Sequence, residues 1–155
     1  QTIELTAAIR DIADTLSISG VHIETELDSV GASIEIVRQN LEQALIHLIT
    51  NAAEASILGE PVKICVAREA DNAIVDVIDV GAGMTQDFIR NNLFVPLRST
   101  KESGHGLGAY QARELIRASG GRLDVISAPG RGTTMRIVWP LANGAARTPL
   151  RVVSS

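Results

Sequence analysis

The chain is expected to fold as an α+β protein, a two-layer α/β sandwich in which runs of strands lie against one set of helices. Three observations carry this expectation. Residues 5–16, 41–55 and 107–119 space their apolar side chains three and four apart, as helices do. Two pairs of segments, 62–68 with 73–79 and 122–127 with 133–139, alternate apolar and polar residues around short turns and read as hairpins. The 155 residues are 45% hydrophobic and only 3% aromatic, enough for one compact core made mainly of Leu, Ile, Val and Ala.

The elements follow in order. Residues 5–16 form the first helix, and residues 21–27 alternate as a strand, with a further short strand over 34–37. In the second helix the apolar residues Leu41, Ala44, Leu45, Leu48, Ile49 and Ala52 share a face, and Asn40 is the expected N-cap. That helix stops before Gly59-Glu60-Pro61. The first hairpin turns at residues 69–72, so Asp79 stands at a strand end. Thr85 is placed to cap a short helix through residue 91. The helix over 107–119 ends at the Gly120-Gly121 pair, and Pro129-Gly130 turns the second hairpin. Cys65 is expected to be a buried strand residue, and as the only cysteine it rules out a disulfide or a zinc framework within one chain. Residues 142–155 read as a linker or tail after a domain spanning 1–141.

The chemistry concentrates in a few short stretches. Nine of the 13 glycines lie between Gly81 and Gly132. Asp79-Val80-Gly81-Ala82-Gly83-Met84 puts a carboxylate two residues before a Gly-x-Gly, and Gly104-His105-Gly106-Leu107-Gly108 follows Ser99-Thr100-Lys101. Glycine lets the backbone approach a ligand closely, so its N–H groups can cradle phosphates. A fixed carboxylate beside such a loop is an acceptor for an amino group such as the one adenine carries. On the second helix His47 and Asn51 are four apart and share a face, with Gln43 and Glu54 roughly along the same stripe. An Asn amide oxygen beside a phosphate site is a hard ligand suited to Mg²⁺. Singly, each has a plain structural reading: a turn at Asp79, a half-buried helix histidine at His47, a solvated lysine at Lys101. Gly104 to Ala109 with Asp124 also fits a dinucleotide fingerprint, but residues 98–103 are polar and unlike the buried strand which must precede one. A net charge of −4 with no basic stripe excludes nucleic acid as the main partner. There is no stretch long enough for a membrane span and no signal peptide.

Taken in order, these motifs resemble the ATP-binding catalytic domain of sensor histidine kinases, within the wider family of gyrase, the Hsp90 chaperones and the MutL repair proteins. His47-Leu48-Ile49-Thr50-Asn51-Ala52 is similar to the family's Asn motif, and Asp79 to Met84 to its Asp-Gly motif. Phe94-Val95-Pro96-Leu97-Arg98-Ser99-Thr100-Lys101 is similar to its Phe motif. Gly104 to Gly108 and Gly130 to Thr134 match the two later glycine motifs, and the resemblance covers roughly residues 1–141. It implies a mixed sheet covered by helices on one face, a Bergerat-type ATP-binding fold, with ATP between helices and a lid over residues 91–104. Asp79 would hold adenine, Asn51 would hold Mg²⁺, and His47, Asn51 and Lys101 would be the catalytic set. Gly81, Gly83, Met84, Phe94, Thr100, Lys101, Gly104, His105, Gly106, Leu107, Gly108 and Thr133 would complete the ATP site. Three positions depart from the commonest pattern. His47 stands where histidine kinases mostly carry Asn; a His there resembles the chemotaxis kinases, and gyrase-like ATPases carry Glu; His105 replaces a frequent Thr, and Leu97 a frequent Phe.

The resemblance implies a two-component kinase that passes the ATP γ-phosphoryl to a histidine. The chain's own histidines, His22, His47 and His105, do not lie in a long heptad-patterned helix. The acceptor is therefore expected on a separate dimerisation domain, with a response regulator downstream. Two other readings stay open: an ATPase or serine kinase of the same superfamily, and a degenerate ATP-binding interaction module. The chain begins at Gln1 without Met. The expectation is a cytoplasmic domain of a longer protein, without direct membrane contact of its own.

Overall fold

The computed structural model describes residues 1–28, 31–57, 59–95 and 105–142, with side chains described from Gly108 onward in the last segment. Among these described residues, seven strands and four helices follow in the order β1 (Thr2–Glu4), α1 (Leu5–Ile18), β2 (Ile23–Leu27), β3 (Ser33–Glu35), α2 (Arg38–Ala55), β4 (Val62–Glu69), β5 (Asn72–Asp79), α3 (Gln86–Phe88), α4 (His105–Ala118), β6 (Arg122–Ser127) and β7 (Thr133–Pro140), with a π-helical turn, Ile89–Leu93, after α3. Five strands make a mixed sheet in the order β2-β4-β5-β7-β6, in which β2 and β4 are parallel and every other pair is antiparallel. One parallel pair in a hairpin-built sheet is not a doubly wound fold, so the dinucleotide reading of the glycine run stays excluded.

The two layers follow from strand alternation. Val62, Ile64 and Val66 of β4, Ala73, Val75 and Val77 of β5, and Ile137 and Trp139 of β7 point one way and are buried. They form one core with Ile9 and Ile12 of α1, Leu41, Leu45 and Leu48 of α2 and Ile116 of α4. The opposite sheet face carries Lys63, Asp76, Arg136 and Asp124, with Arg136 clamping Asp76 by two bonds of 2.8 and 2.9 Å. Trp139 is fully buried, and its indole N–H reaches Ser119 Oγ at 2.8 Å, so its one polar atom is satisfied.

The expected helices and hairpins are present, with differences that have local causes. Asn40 does not cap α2. The helix begins at Arg38 with Val37 at the cap position and no side-chain cap bond, and Asn40 already donates its N–H to Val37 O at 2.9 Å. Ile36 ends the β3 pairing by bonding Gln1 O, and the chain enters the helix directly from there. Cys65 is not buried in the core. The register that sends Val62, Ile64 and Val66 inward turns Cys65 to the open face, half-buried, with its thiol 3.5 Å from Glu26 Oε1. Partial burial and Glu26 together push that thiol's pKa up. Strand β1, not anticipated, pairs antiparallel with β3, and Glu4 at its end accepts the Thr6 and Ala7 N–H groups that open α1. The expected lid begins at residue 91, but residues 91–93 belong to the π-helical turn and Leu93 is buried; residues 96–104 of that expectation lie outside the described residues.

Candidate functional site

A cleft of about 270 Å³ opens between α2 and the ends of β5 and β7. Its floor is one face of α2: Leu48, Asn51, Ala52 and Ala55, spaced three, four and seven apart. Ala82, Gly83 and Met84 form one wall, Phe88 and Leu93 another, and Thr133 and Met135 of β7 close the sheet side. The walls are largely apolar, and three polar side chains interrupt them: Asn51 on the helix, and Asp79 with Thr133 at the strand ends. Such a cleft suits a flat apolar ring recognised by few polar contacts.

Asp79 is 8% exposed. Its Oδ1 accepts the Gly81 N–H at 3.0 Å, and the Thr133 N–H also donates to the carboxylate. Burial pushes the carboxyl pKa above the usual aspartate range, and the two backbone donors pull the other way. The glycines are what allow the loops to close on this carboxylate. A Cβ on Gly81 would sit 2.3 Å from Ala55 O, and one on Gly132 would sit 2.3 Å from Asp79 O. Gly81 also bridges to Ser56 just beyond α2, which ties the loop to the floor helix.

At the other end of the cleft α4 starts against α2. Gly108 is buried, and a Cβ there would lie 3.5 Å from Asn51 Nδ2 and 3.7 Å from His47 Nδ1. Asn51 and His47 are therefore brought together beside the first turn of α4, whose unpaired N–H groups favour anions. His47 Nε2 is buried with no hydrogen-bond partner among the described residues. Asn51 offers a neutral oxygen ligand at this point, and no group of three His, Cys, Asp or Glu able to hold a metal occurs among the described residues. Mg²⁺ keeps most of its shell from water and phosphate oxygens and needs only one or two protein ligands, so Asn51 fits it.

Of the residues singled out from sequence, Asn51, Asp79, Gly83, Met84 and Thr133 line the cleft. Gly81 supports Asp79 from behind, and His47 and Gly108 stand at the Asn51 end. His105, Gly106 and Leu107 open α4. Phe94 lies outside the lining, where the Arg113 guanidinium covers its ring at 4.2 Å. Thr100, Lys101 and Gly104 lie outside the described residues. Sequence reasoning missed the apolar walls. Leu48, Ala52 and Ala55 were legible as helical partners of Asn51, whereas Phe88, Leu93 and Met135 carried no local signal.

The sequence profile of the histidine kinase-, DNA gyrase B- and HSP90-like ATPases matches residues 36–143. The chain belongs to that family. Among curated relatives of this ATPase family, sporulation kinase C of Bacillus subtilis strain 168 is 32% identical over 140 residues, which cover 89% of this chain and 32% of that protein. The signal transduction histidine-protein kinase AtoS of Escherichia coli K12 is 27% identical over 146 residues, covering 91% of this chain and 24% of AtoS. This chain thus spans about a third or less of the length of these relatives. Among solved structures, the mycobacterial sensor histidine kinase MprB superposes with a TM-score of 0.77 at 23% identity, over 91% of this chain and 97% of that one. Full-length ShkA in complex with AMPPNP gives 0.76 at 22% identity, over 92% of this chain and 31% of ShkA. The mixed sheet with helices on one face is therefore the ATP-binding fold of the family. No helix among the described residues is long and apolar enough to cross a membrane.

Proposed function

We propose that the chain is the ATP-binding catalytic domain of a two-component histidine kinase, transferring the γ-phosphoryl of ATP to a histidine on a dimerisation domain outside this chain. The observation that carries the reading is the pairing of a buried Asp79 at one end of an apolar cleft with Asn51 and the start of α4 at the other. The adenine ring lies against Met84, Leu93 and Met135, and Asp79 accepts its amino N–H. The polyphosphate runs toward the first turn of α4, where the 105–108 amides receive its oxygens. Thr100, Lys101 and Gly104 complete the phosphate end, as the resemblance implies. Asn51 would hold Mg²⁺, which would supply neutralisation of the phosphate charge. Transfer needs alignment and charge neutralisation more than covalent help from the protein: the bond from γ-phosphorus to the bridging oxygen breaks, the bond to the acceptor imidazole nitrogen forms, and ADP leaves. His47, on the same helix face, orients the attacking group or takes its proton. The domain spans 1–141, supported by Leu141, which is buried and donates its N–H to Asp71 O at 2.9 Å; the linker or tail expected over 142–155 lies, from residue 143 on, outside the described residues. The dimerisation domain belongs to the same parent protein, a response regulator receives the phosphoryl group, and the domain works in the cytoplasm, where ATP is.

Two measurements test this. ATP is expected to bind better than GTP, and Asp79→Asn to cost about 1.5–3 kcal/mol of ATP affinity, the worth of a hydrogen bond to a charged group. Because burial raises the Asp79 pKa and only the ionised form accepts well, wild-type affinity should fall on acidification at a pH above that of an ordinary aspartate, and Asp79→Asn should lack that component. Equal ATP affinity in wild type and Asp79→Asn by calorimetry would remove Asp79 from the base site. The isolated chain should not label itself from γ-labelled ATP. Adding the dimerisation domain of the parent protein should yield an acid-labile label on a histidine. Acid-stable self-labelling would instead make it a serine kinase.

A further inference from the structure

We propose that Ser127 selects the base in the cleft by fixing the Thr133 hydroxyl as a hydrogen-bond acceptor; this rests on the nucleotide reading of the same cleft. Ser127 ends β6, on the far side of Thr133 from Asp79 of β5, and does not line the cleft. Its Oγ meets three partners. The Met84 N–H donates to it at 2.9 Å, the Gly132 carbonyl lies at 2.9 Å, and Thr133 Oγ1 lies at 2.8 Å.

A serine hydroxyl has one proton and two lone pairs. The Met84 amide can only donate, so it takes one lone pair. The Gly132 carbonyl can only accept, and Gly132 is buried, where an unsatisfied carbonyl is costly. The Ser127 proton therefore goes to Gly132 O. One lone pair of Ser127 is left, and only a proton from Thr133 can fill it. The Thr133 hydroxyl proton is in this way drawn out of the cleft, and Thr133 presents lone pairs to whatever lies beside it.

Asp79, at the opposing position in the β5–β7 pairing, is acceptor-only when ionised, and Thr133 is buried beside it. The polar end of the cleft thus offers acceptors alone. It calls for a donor, the exocyclic amino group of adenine. Guanine carries a carbonyl at the same ring position and would set oxygen against oxygen. Without the Ser127 hydroxyl, Thr133 is free to rotate and donate to that carbonyl. Ser127 is a positioning residue that never touches the base.

The test is calorimetric titration of ADP and of GDP into the wild-type chain, Ser127→Ala, Ser127→Thr, Thr133→Val and the double variant Ser127→Ala/Thr133→Val. Ser127→Ala should lower the ratio of ADP to GDP affinity about tenfold, the scale of one misplaced buried hydrogen bond. Ser127→Thr, which keeps a hydroxyl, should restore the ratio. On the Thr133→Val background Ser127→Ala should leave the ratio unchanged, because the group it orients is gone. A residue that only braced the Met84 loop would weaken both nucleotides alike, and an unchanged ratio in Ser127→Ala overturns the proposal. So does a full effect of Ser127→Ala on the Thr133→Val background, which keeps the test decisive if Ser127→Thr fails to fold. ADP binding to wild type with an unaltered ratio sinks the orientation alone; no ADP binding to wild type sinks the nucleotide reading and the orientation with it.

Discussion

Asn51→Ala is expected to abolish Mg²⁺-dependent phosphoryl transfer while leaving metal-free adenosine binding largely intact. Asn51 is the polar residue of the α2 face that floors the cleft, and its amide sits beside Gly108 at the start of α4. On the proposed reading adenosine engages the other end, at Asp79. On the same reading, removing the amide takes away the oxygen proposed for the metal, and loss of a group that stabilises charge in the transition state costs on the order of a hundredfold or more. Asn51 is only half-buried, so thermal stability should change little. The assay is transfer from labelled ATP to the dimerisation domain, paired with adenosine titrations in EDTA. Normal transfer by Asn51→Ala would show the metal ligand to be elsewhere. Lost adenosine binding in EDTA would show Asn51 to serve the base rather than the metal.

Gly83→Ala is expected to destabilise the protein by more than about 3 kcal/mol and to eliminate nucleotide binding. Two penalties coincide there. Gly83 has φ +77°, and a Cβ would lie 2.0 Å from Ala128 O, a backbone atom that cannot move aside cheaply. To relieve the clash the 81–84 loop must withdraw from the β6–β7 turn. That breaks the 2.9 Å bond from Met84 N–H to Ser127 and the 2.6 Å bond from Gly130 N–H to Ala82 O. Gly130→Ala is the control. Gly130 has φ +78° but nothing within 4 Å of its Cβ position, so it carries the conformational cost of about 1–2 kcal/mol without the clash. Urea denaturation and ADP titration of the two variants separate the terms. Equal destabilisation would mean that the loop yields freely and that close approach at Gly83 is not needed for the site.

Much of this was open to reading along the chain, because it depends on neighbours in sequence. The apolar stripe from Leu41 to Ala52 makes α2 a helix wherever it docks, and its fourfold spacing puts His47 and Asn51 on one face. Alternation in 62–69 and 72–79 makes β4 and β5 strands and leaves Asp79 at an end. The glycines were read as letting the backbone approach a ligand; at Gly81, Gly83 and Gly132 the close approach is to the backbone at Ala55, Ala128 and Asp79. Helix periodicity alone did not locate the start of α2: Asn40 reads as a cap, but the β1–β3 pairing delivers the chain to the helix three residues earlier, with Val37 at the cap position.

Relations between segments far apart in the chain were not open to such reading. Alternation says that Cys65 and Ile64 face opposite ways, but the packing of Ile64 against the helices decides which of them is buried. Composition makes β6 and β7 a hairpin, yet it is β7 that joins β5, which sets Thr133 opposite Asp79 and Ser127 behind Thr133. That order comes from long-range hydrogen bonding and from burial of Trp139 between α4 and the sheet, terms that no local window contains. Local sequence was enough for most of the elements and for the order of the motifs, and it singled out Asp79 and Asn51 as candidates. The strand order determined which groups share a cleft, and so the direction in which a single threonine proton points.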